Sequence, residues 1–152
     1  MLDSNKRINT LEKNPLGTDS DGRPFDEPWE YASFVVMLMY LSINFRPDIQ
    51  FSVHQCARFT HNPMGGHSES VKRICIYLVV TQGKGLTFYL NSDLNLECYV
   101  DADFAGICKH KYDKDPVCSK SRTGCVMTLG GCLLHWVSNI HTDIALPTLK
   151  YE

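Results

Sequence analysis

Two aspartates separated by one residue are the part of this sequence best suited to bind a divalent metal ion. Asp101 and Asp103 lie in the stretch Cys-Tyr-Val-Asp-Ala-Asp-Phe-Ala-Gly, which runs from Cys98 to Gly106. Carboxylate oxygens are the hard ligands that Mg²⁺ prefers, and a β-sheet holds such ligands in position. The alternative is a structural role, because aspartates are also common in turns that close a strand.

The residues before these aspartates have the pattern of a strand. Apolar and polar side chains alternate from Leu94 to Asp101, and a period of two is typical of a half-buried strand. We therefore expect Asp101 at the end of this strand, where the chain leaves the sheet.

Three other stretches predict strands. Leu86 to Leu90 precedes the aspartates, and Ser121 to Leu129 follows them after a polar loop. Gly130-Gly131 is a strong hairpin signal, and it predicts a returning strand over Cys132 to Ser138. In that strand, we expect Leu133 and Val137 on one face and Leu134 and Trp136 on the other.

The first half of the chain predicts helices. Residues 1–29 are rich in Asn, Asp, Gly, Pro and Lys, and form a loop or mobile lead-in with little apolar material to fix it. Glu30 to Ser42 predicts a mostly buried helix, Pro47 the first turn of a second, and His67 to Thr81 a third. Helices followed by antiparallel strands indicate an α+β fold.

Composition restricts the classes of function. The 152 residues carry a net charge of −2, which gives no sign of a surface that coats nucleic acid but leaves local patches open. The longest apolar run, Phe34 to Leu41, is too short to span a bilayer, and Met1 to Asn14 is too polar for a signal peptide. We expect no membrane partner and an intracellular location, in the cytoplasm or nucleus.

Cysteines and histidines give no metal-binding pattern. The seven cysteines include no Cys-x-x-Cys pair, which argues against structural zinc, and we expect reduced thiols. His54, His61 and His67 lack the spacing of a ligand set, which favours structural roles.

Together, these residues resemble part of the pol polyprotein of copia-type LTR retrotransposons. The matching stretches occur in the order of that family and cover most of the chain: Pro15-Leu16-Gly17-Thr18-Asp19, Met37-Leu38-Met39-Tyr40-Leu41-Ser42, Arg46-Pro47-Asp48-Ile49, Ala57-Arg58-Phe59 with His61-Asn62-Pro63, Lys72-Arg73-Ile74 with Tyr77-Leu78, Lys84-Gly85-Leu86, Tyr99 to Gly106, Ser121-Arg122-Thr123-Gly124, and Ile144-Ala145-Leu146 with Thr148. Each stretch is weak evidence, whereas the ordered set is specific.

The resemblance implies a domain organisation. Residues 1–29 would be the lead-in, and residues 30–92 a helical tail of the reverse transcriptase, like a thumb or connection. Residues 93–152 would be the N-terminal part of a ribonuclease H-like domain, with a truncated version of that fold.

The resemblance also implies two-metal hydrolysis of the RNA strand of an RNA–DNA hybrid, with Mg²⁺ as cofactor. Asp101 matches the first acidic ligand of the family, and Glu152 aligns with the second, a glutamate in the first turn of the next helix. Asp103 is a more peripheral candidate ligand. The partner implied, besides the hybrid, is the remainder of the pol polyprotein.

The sequence departs from the family pattern at its ends. The third and fourth acidic ligands of the family would lie beyond Glu152, and the catalytic Asp-Asp pair of the reverse transcriptase before Met1. We therefore expect a fragment that is catalytically inactive alone, with weak or absent Mg²⁺ binding. The alternatives are a ribonuclease H module completed by another chain, or a non-enzymatic host binding protein that reuses the fold.

Overall fold

The computed structural model describes residues 16–89, 94–103 and 120–141. The chain divides into two compact units, Met1–Leu86 and Thr87–Glu152. The described part of the first unit is helical, and that of the second is an antiparallel sheet. The expected α+β class is confirmed.

The described residues of the first unit, 16–86, contain three α-helices. They are α1 (Tyr31–Asn44), α2 (Gln50–Ala57) and α3 (Gly65–Val80), and a 3-10 turn over Pro47–Ile49 leads into α2. Pro47 occupies the first position of that turn, as predicted, because proline lacks the amide hydrogen that would be unpaired there. The core consists of side chains from all three helices: Tyr31, Val35, Leu38, Ile49, Val53, Cys56, Val71 and Ile74.

Helix α1 is less buried than its composition predicts. Only one stripe of side chains, including Val35 and Leu38, faces the core. On the other side, Val36, Met37 and Tyr40 are more than half exposed. The expectation of a mostly buried helix was wrong, because apolar residues occupy every side of α1 whereas the core covers only one.

Residues 16–29 form the expected loop, but apolar contacts fix it. Leu16, Phe25 and Trp29 pack against the helical core. The rings of Phe25 and Trp29 meet edge to face, with centroids 5.2 Å apart. Aromatic side chains bury a large area each, so a few suffice to hold a loop that is otherwise polar.

Three strands form the described sheet. They are β1 (Leu96–Asp103), β2 (Arg122–Leu129) and β3 (Cys132–Ile140), arranged antiparallel in the order β1-β2-β3. The hairpin between β2 and β3 turns at Gly130 and Gly131, as predicted, with φ of 57° and 75°. Glycine adopts these positive angles without steric cost.

A β-bulge in β3 changes which side chains share a face. Thr128 pairs with Leu133 and Met127 pairs with His135, so Leu134 has no opposite residue. Val126 pairs with Trp136, which places Leu133 and Trp136 on the same face. The prediction that Leu133 and Val137 share one face of β3 was therefore wrong. Simple alternation does not anticipate an inserted residue.

The strand predicted over Leu86 to Leu90 is not present in its described part, residues 86–89. Phe88 and Tyr89 are exposed there, and the amide of Tyr89 donates a hydrogen bond to the Cys132 sulfur, 3.2 Å away, instead of to a strand carbonyl. Alternation alone does not make a strand, because a strand also needs a ladder of backbone hydrogen bonds to a neighbouring strand. Leu90 lies outside the described residues.

Candidate functional site

Asp101 lies on β1 with its side chain exposed to solvent. The strand continues for two residues beyond it, because Ala102 and Asp103 pair with Thr123 and Arg122 at the start of β2. Asp101 is thus inside the strand, and the expectation that it ends the strand was wrong. A position within the ladder holds the carboxylate more firmly than a position in a turn would.

The residue opposite Asp101 on β2 is Gly124, and Gly124 in turn faces Ser138 on β3. Paired residues of an antiparallel sheet project from the same face. A Cβ added at Gly124 would contact only the backbone oxygen of Asp101, at 3.8 Å. Among the described residues, no side chain on β2 therefore covers the position opposite Asp101.

A guanidinium group lies on the same face of the sheet. Arg122 is two residues before Gly124, so it shares that face, and its Nη1 donates hydrogen bonds of 3.0 Å to both the carbonyl oxygen and Oγ of Ser138. These bonds fix the cation to β3. The face that presents Asp101 consequently contains one anchored positive charge near the strand ends.

A second carboxylate, Glu97, lies on this face of β1 and already has partners. The hydroxyl groups of Tyr99 and Thr128 donate to its Oε2 over 3.0 Å and 3.3 Å. The bond to Glu97 raises the pKa of Tyr99 above its ordinary value, because it stabilises the protonated phenol. The Glu97 carboxylate thus has a structural role, and a substitution of Glu97 is a suitable control for a substitution of Asp101.

The other predicted ligands are placed only in part. Asp103 is the last residue of β1, paired with Arg122, and Glu152 lies outside the described residues. The predicted approach of Asp101 and Glu152 to one metal ion remains a prediction. In the part of the chain that the structure describes, no three His, Cys, Asp or Glu side chains form a group that could hold a metal.

The chemistry of Asp101 fits an oxygen ligand for Mg²⁺, since it is an exposed carboxylate on a paired strand. One carboxylate does not retain Mg²⁺ strongly, and two-metal hydrolysis needs several. The described residues alone therefore do not form a metal site, and we derive no reaction step through a metal ion.

Sequence reasoning missed a polar cluster at one end of the helical unit. The buried guanidinium of Arg46 donates two hydrogen bonds to the Asp48 carboxylate, at 3.0 Å and 2.8 Å, and others to the carbonyl and hydroxyl oxygens of Thr81. The hydroxyl of Tyr77 donates to Asp48 over 2.7 Å. Arg46 and Tyr77 thus hold the pKa of Asp48 below its usual range. This cluster joins two matching stretches of the sequence and fastens the turn before α2 to the end of α3.

A buried histidine connects the lead-in to α3. The backbone amide of Met64 donates to Nδ1 of His67 over 3.0 Å, so Nε2 carries the proton that it donates to the carbonyl oxygen of Gly17 at 2.8 Å. The His67 ring stacks on Phe59 with centroids 3.9 Å apart. The structural role expected for His67 is confirmed.

Asp19 explains why α3 begins at Gly65, two residues before the predicted start. Its carboxylate accepts a hydrogen bond of 3.0 Å from the amide of Gly66, in the first turn of the helix. A distant carboxylate thus satisfies an amide that lacks an intrahelical partner.

None of the helices in the described ranges has the length and apolar character needed to cross a membrane.

Comparison with known proteins identifies the family. The chain is 32% identical over 161 residues to the retrovirus-related Pol polyprotein from transposon RE1 of Arabidopsis thaliana, a match that covers 100% of this chain and 10% of that protein. It is 38% identical over 122 residues to the Pol polyprotein from transposon TNT 1-94 of Nicotiana tabacum, covering 80% of this chain and 8% of that protein. The chain belongs to the retrovirus-related Pol polyproteins of copia-type transposons.

This Pol chain spans about a tenth of the length of those two relatives. A shorter relative, the secreted RxLR effector protein 161 of Plasmopara viticola, is 32% identical over 122 residues, and the match covers 80% of each protein. No family model matches the chain, and no solved structure matches it.

Proposed function

We propose that this chain is a segment of a copia-type reverse transcriptase/ribonuclease H polyprotein. Residues 30–92 would belong to the helical end of the reverse transcriptase region, and residues 93–152 to the beginning of a ribonuclease H-like domain. The observation that supports this proposal best is the position of Asp101, an exposed carboxylate on the first strand of the antiparallel sheet. Asp101 matches the first acidic ligand of that domain, and a role as a metal ligand would account for an exposed carboxylate on this strand.

In this proposal Asp101 is a metal ligand, Glu152 a second, and Asp103 a peripheral third. Mg²⁺ bound there would activate water and stabilise the leaving oxygen during hydrolysis. The contribution of this chain is to hold the Asp101 carboxylate on a paired strand, opposite Gly124. The substrate is an RNA–DNA hybrid, and the partner is the remainder of the polyprotein.

The first experiment measures cleavage of an RNA–DNA hybrid by these 152 residues alone, in millimolar Mg²⁺ or Mn²⁺. We predict no cleavage, because two or three matched carboxylates do not retain two divalent ions in a fixed geometry. Cleavage that disappears in an Asp101→Asn variant would contradict this prediction, and would show that a second copy supplies the missing ligands.

The second experiment tests the role of the segment itself. This chain replaces the matching region of the RE1 polyprotein, and hybrid binding and hybrid cleavage are both measured. We expect the chimera to cleave, Asp101→Asn to abolish cleavage, and Glu97→Gln to preserve it. A chimera that binds hybrid but cleaves equally well with Asn at position 101 would overturn the proposed role of Asp101.

The second candidate function is a non-enzymatic binding protein built on the same fold. The secreted RxLR effector protein 161 favours this candidate. The match covers 80% of that protein, so its extent is similar to that of this chain, and its name is that of an effector. Here the exposed aspartate would have no chemical role. Retention of an affinity-purified partner by both the parent and Asp101→Asn would favour this candidate, whereas no partner would count against it.

A further inference from the structure

Two cysteine sulfurs lie in contact across neighbouring strands. Cys98 on β1 and Cys125 on β2 have their Sγ atoms 3.7 Å apart. The Cys98 side chain is exposed and that of Cys125 is half-buried, so solutes reach this pair from solvent. Both are free thiols in this structure.

The strand register accounts for this proximity. Cys98 pairs with Met127 and Cys125 pairs with Val100, so the cysteines are diagonal neighbours on one face of the sheet. A disulfide requires a sulfur–sulfur distance of about 2.05 Å, which leaves about 1.7 Å to close by side-chain rotation and a small shift of the strands.

The other described cysteines differ from this pair. Cys56 is buried in the helical core, where burial raises the pKa of its thiol to about 12. Burial also raises the pKa of Cys75, and Cys132 is buried with its sulfur bonded to the Tyr89 amide. Reaction with an oxidant needs an accessible thiolate, which disfavours the buried Cys56 and Cys132.

The contact also distinguishes the two members of the pair. It raises the pKa of the Cys125 thiol, chiefly because that thiol is hydrogen-bonded to Cys98. The Cys98 sulfur is the more exposed of the two. The geometry favours Cys98 as the sulfur that an oxidant meets first.

We propose that Cys98 and Cys125 are a redox modification site that forms an intrachain disulfide with a low-molecular-weight disulfide such as oxidised glutathione. The Cys98 thiolate attacks the glutathione disulfide and forms a mixed disulfide, with glutathione thiolate as the leaving group. Cys125, after loss of its proton, attacks the Cys98 sulfur and releases the second glutathione thiolate. Two protein thiols are oxidised and one glutathione disulfide is reduced to two thiols.

The disulfide would join the two strands that present Asp101. Cys98 lies three residues before Asp101, and Cys125 directly follows Gly124, the residue opposite Asp101. Residues 98 and 101 project from opposite faces of β1, so oxidation would lock the β1–β2 pairing on the face opposite this carboxylate, without using the carboxylate itself.

The test treats the full native chain with excess oxidised glutathione, then blocks free thiols, digests without reduction and identifies peptides by mass spectrometry. We expect a linked pair of peptides containing Cys98 and Cys125, with the mass of the two peptides less two hydrogens. Cys98→Ser and Cys125→Ser should each abolish that product and leave a glutathione adduct on the remaining cysteine. Cys132→Ser is the matched control, and should leave the linked product unchanged.

Three results would overturn the proposal. They are free thiols at both positions, stable glutathione adducts at Cys98 and Cys125 in the parent chain, and linkage of either residue to a different cysteine. Reduction of the linked product with dithiothreitol should restore both thiols, which separates a disulfide from irreversible oxidation.

Discussion

Some of the residues that match the copia-type pattern behave differently in the two units of the chain. In the helical unit, Arg46, Asp48 and Tyr77 form a hydrogen-bonded cluster and the Gly17 carbonyl is fixed by His67. In the sheet unit, Tyr99, Val100 and Asp101 are exposed. The comparison indicates that the first group of residues maintains the fold, whereas the exposed carboxylate of Asp101 is the one proposed to bind a metal ion.

The largest expected effect concerns His67. Substitution His67→Ala removes the stack on Phe59 and leaves the Gly17 carbonyl and the Met64 amide without their partner. We expect a loss of about 3 kcal/mol in the free energy of unfolding of the helical unit, from the cavity and the unpaired polar groups.

The chain offers a reporter and a control for this measurement. Its two tryptophans are Trp29 in the helical unit and Trp136 in the sheet unit, so a Trp136→Phe background makes urea unfolding followed by fluorescence specific for the helices. His61 is exposed, and His61→Ala should change the free energy by less than about 0.5 kcal/mol. If His67→Ala and His61→Ala lowered the free energy of unfolding equally, the claim that His67 maintains the fold of the helical unit would be wrong.

The next effect is a pH dependence caused by Asp48. The Arg46 guanidinium lowers the pKa of Asp48 in the folded state, so this carboxylate stabilises the fold above its unfolded pKa of about 3.9. That stabilisation is lost as the pH falls through the depressed folded value. We expect Asp48→Asn to cost about 1 to 2 kcal/mol at pH 7, with the difference from the parent shrinking below about pH 4.

The measurement is urea unfolding in the same Trp136→Phe background at a series of pH values. Tyr77→Phe is the companion variant, because it removes one hydrogen bond to Asp48 while keeping the ion pair with Arg46. It should lower the free energy less than Asp48→Asn and preserve the acid dependence. A difference between parent and Asp48→Asn that does not vary with pH would contradict the assignment.

The smallest effect on stability should come from the residue proposed as a metal ligand. Asp101 is exposed, so Asp101→Asn should change the free energy of unfolding of the sheet unit by less than about 0.5 kcal/mol. Trp136 fluorescence in a Trp29→Phe background measures it. A loss of about 2 kcal/mol or more would place Asp101 among the residues that maintain the fold.

Local patterns in the sequence were enough to predict much of the architecture. Pro47 marked the start of the second helix, and Gly130-Gly131 marked the hairpin, because each is limited to a few backbone conformations. Alternation located β1, β2 and β3, although each strand has at least one boundary that differs from the prediction; the end of β2 at Leu129 and the start of β3 at Cys132 agree.

What the sequence could not show depends on residues that are distant along the chain. The bond from His67 to Gly17 and that from Arg46 to Thr81 join residues far apart in sequence, and no local periodicity reports them. The continuation of β1 beyond Asp101 depends on Arg122 and Thr123, and the bulge at Leu134 appears only in the register with β2. The residue type of Asp101 suggested a metal ligand, but the sequence did not predict that Asp101 lies inside β1.

The distinction between the two units is tested most directly by mapping where Mn²⁺ binds. Mn²⁺ prefers oxygen ligands as Mg²⁺ does, and its paramagnetism broadens the NMR signals of nearby nuclei. We predict that millimolar Mn²⁺ broadens the backbone amide signals of Asp101 and Gly124 first, that Asp101→Asn removes this broadening, and that Glu97→Gln retains it. Broadening that is centred on the helical unit, or that persists unchanged in Asp101→Asn, would contradict the claim that Asp101 is the chemically active carboxylate of this sheet.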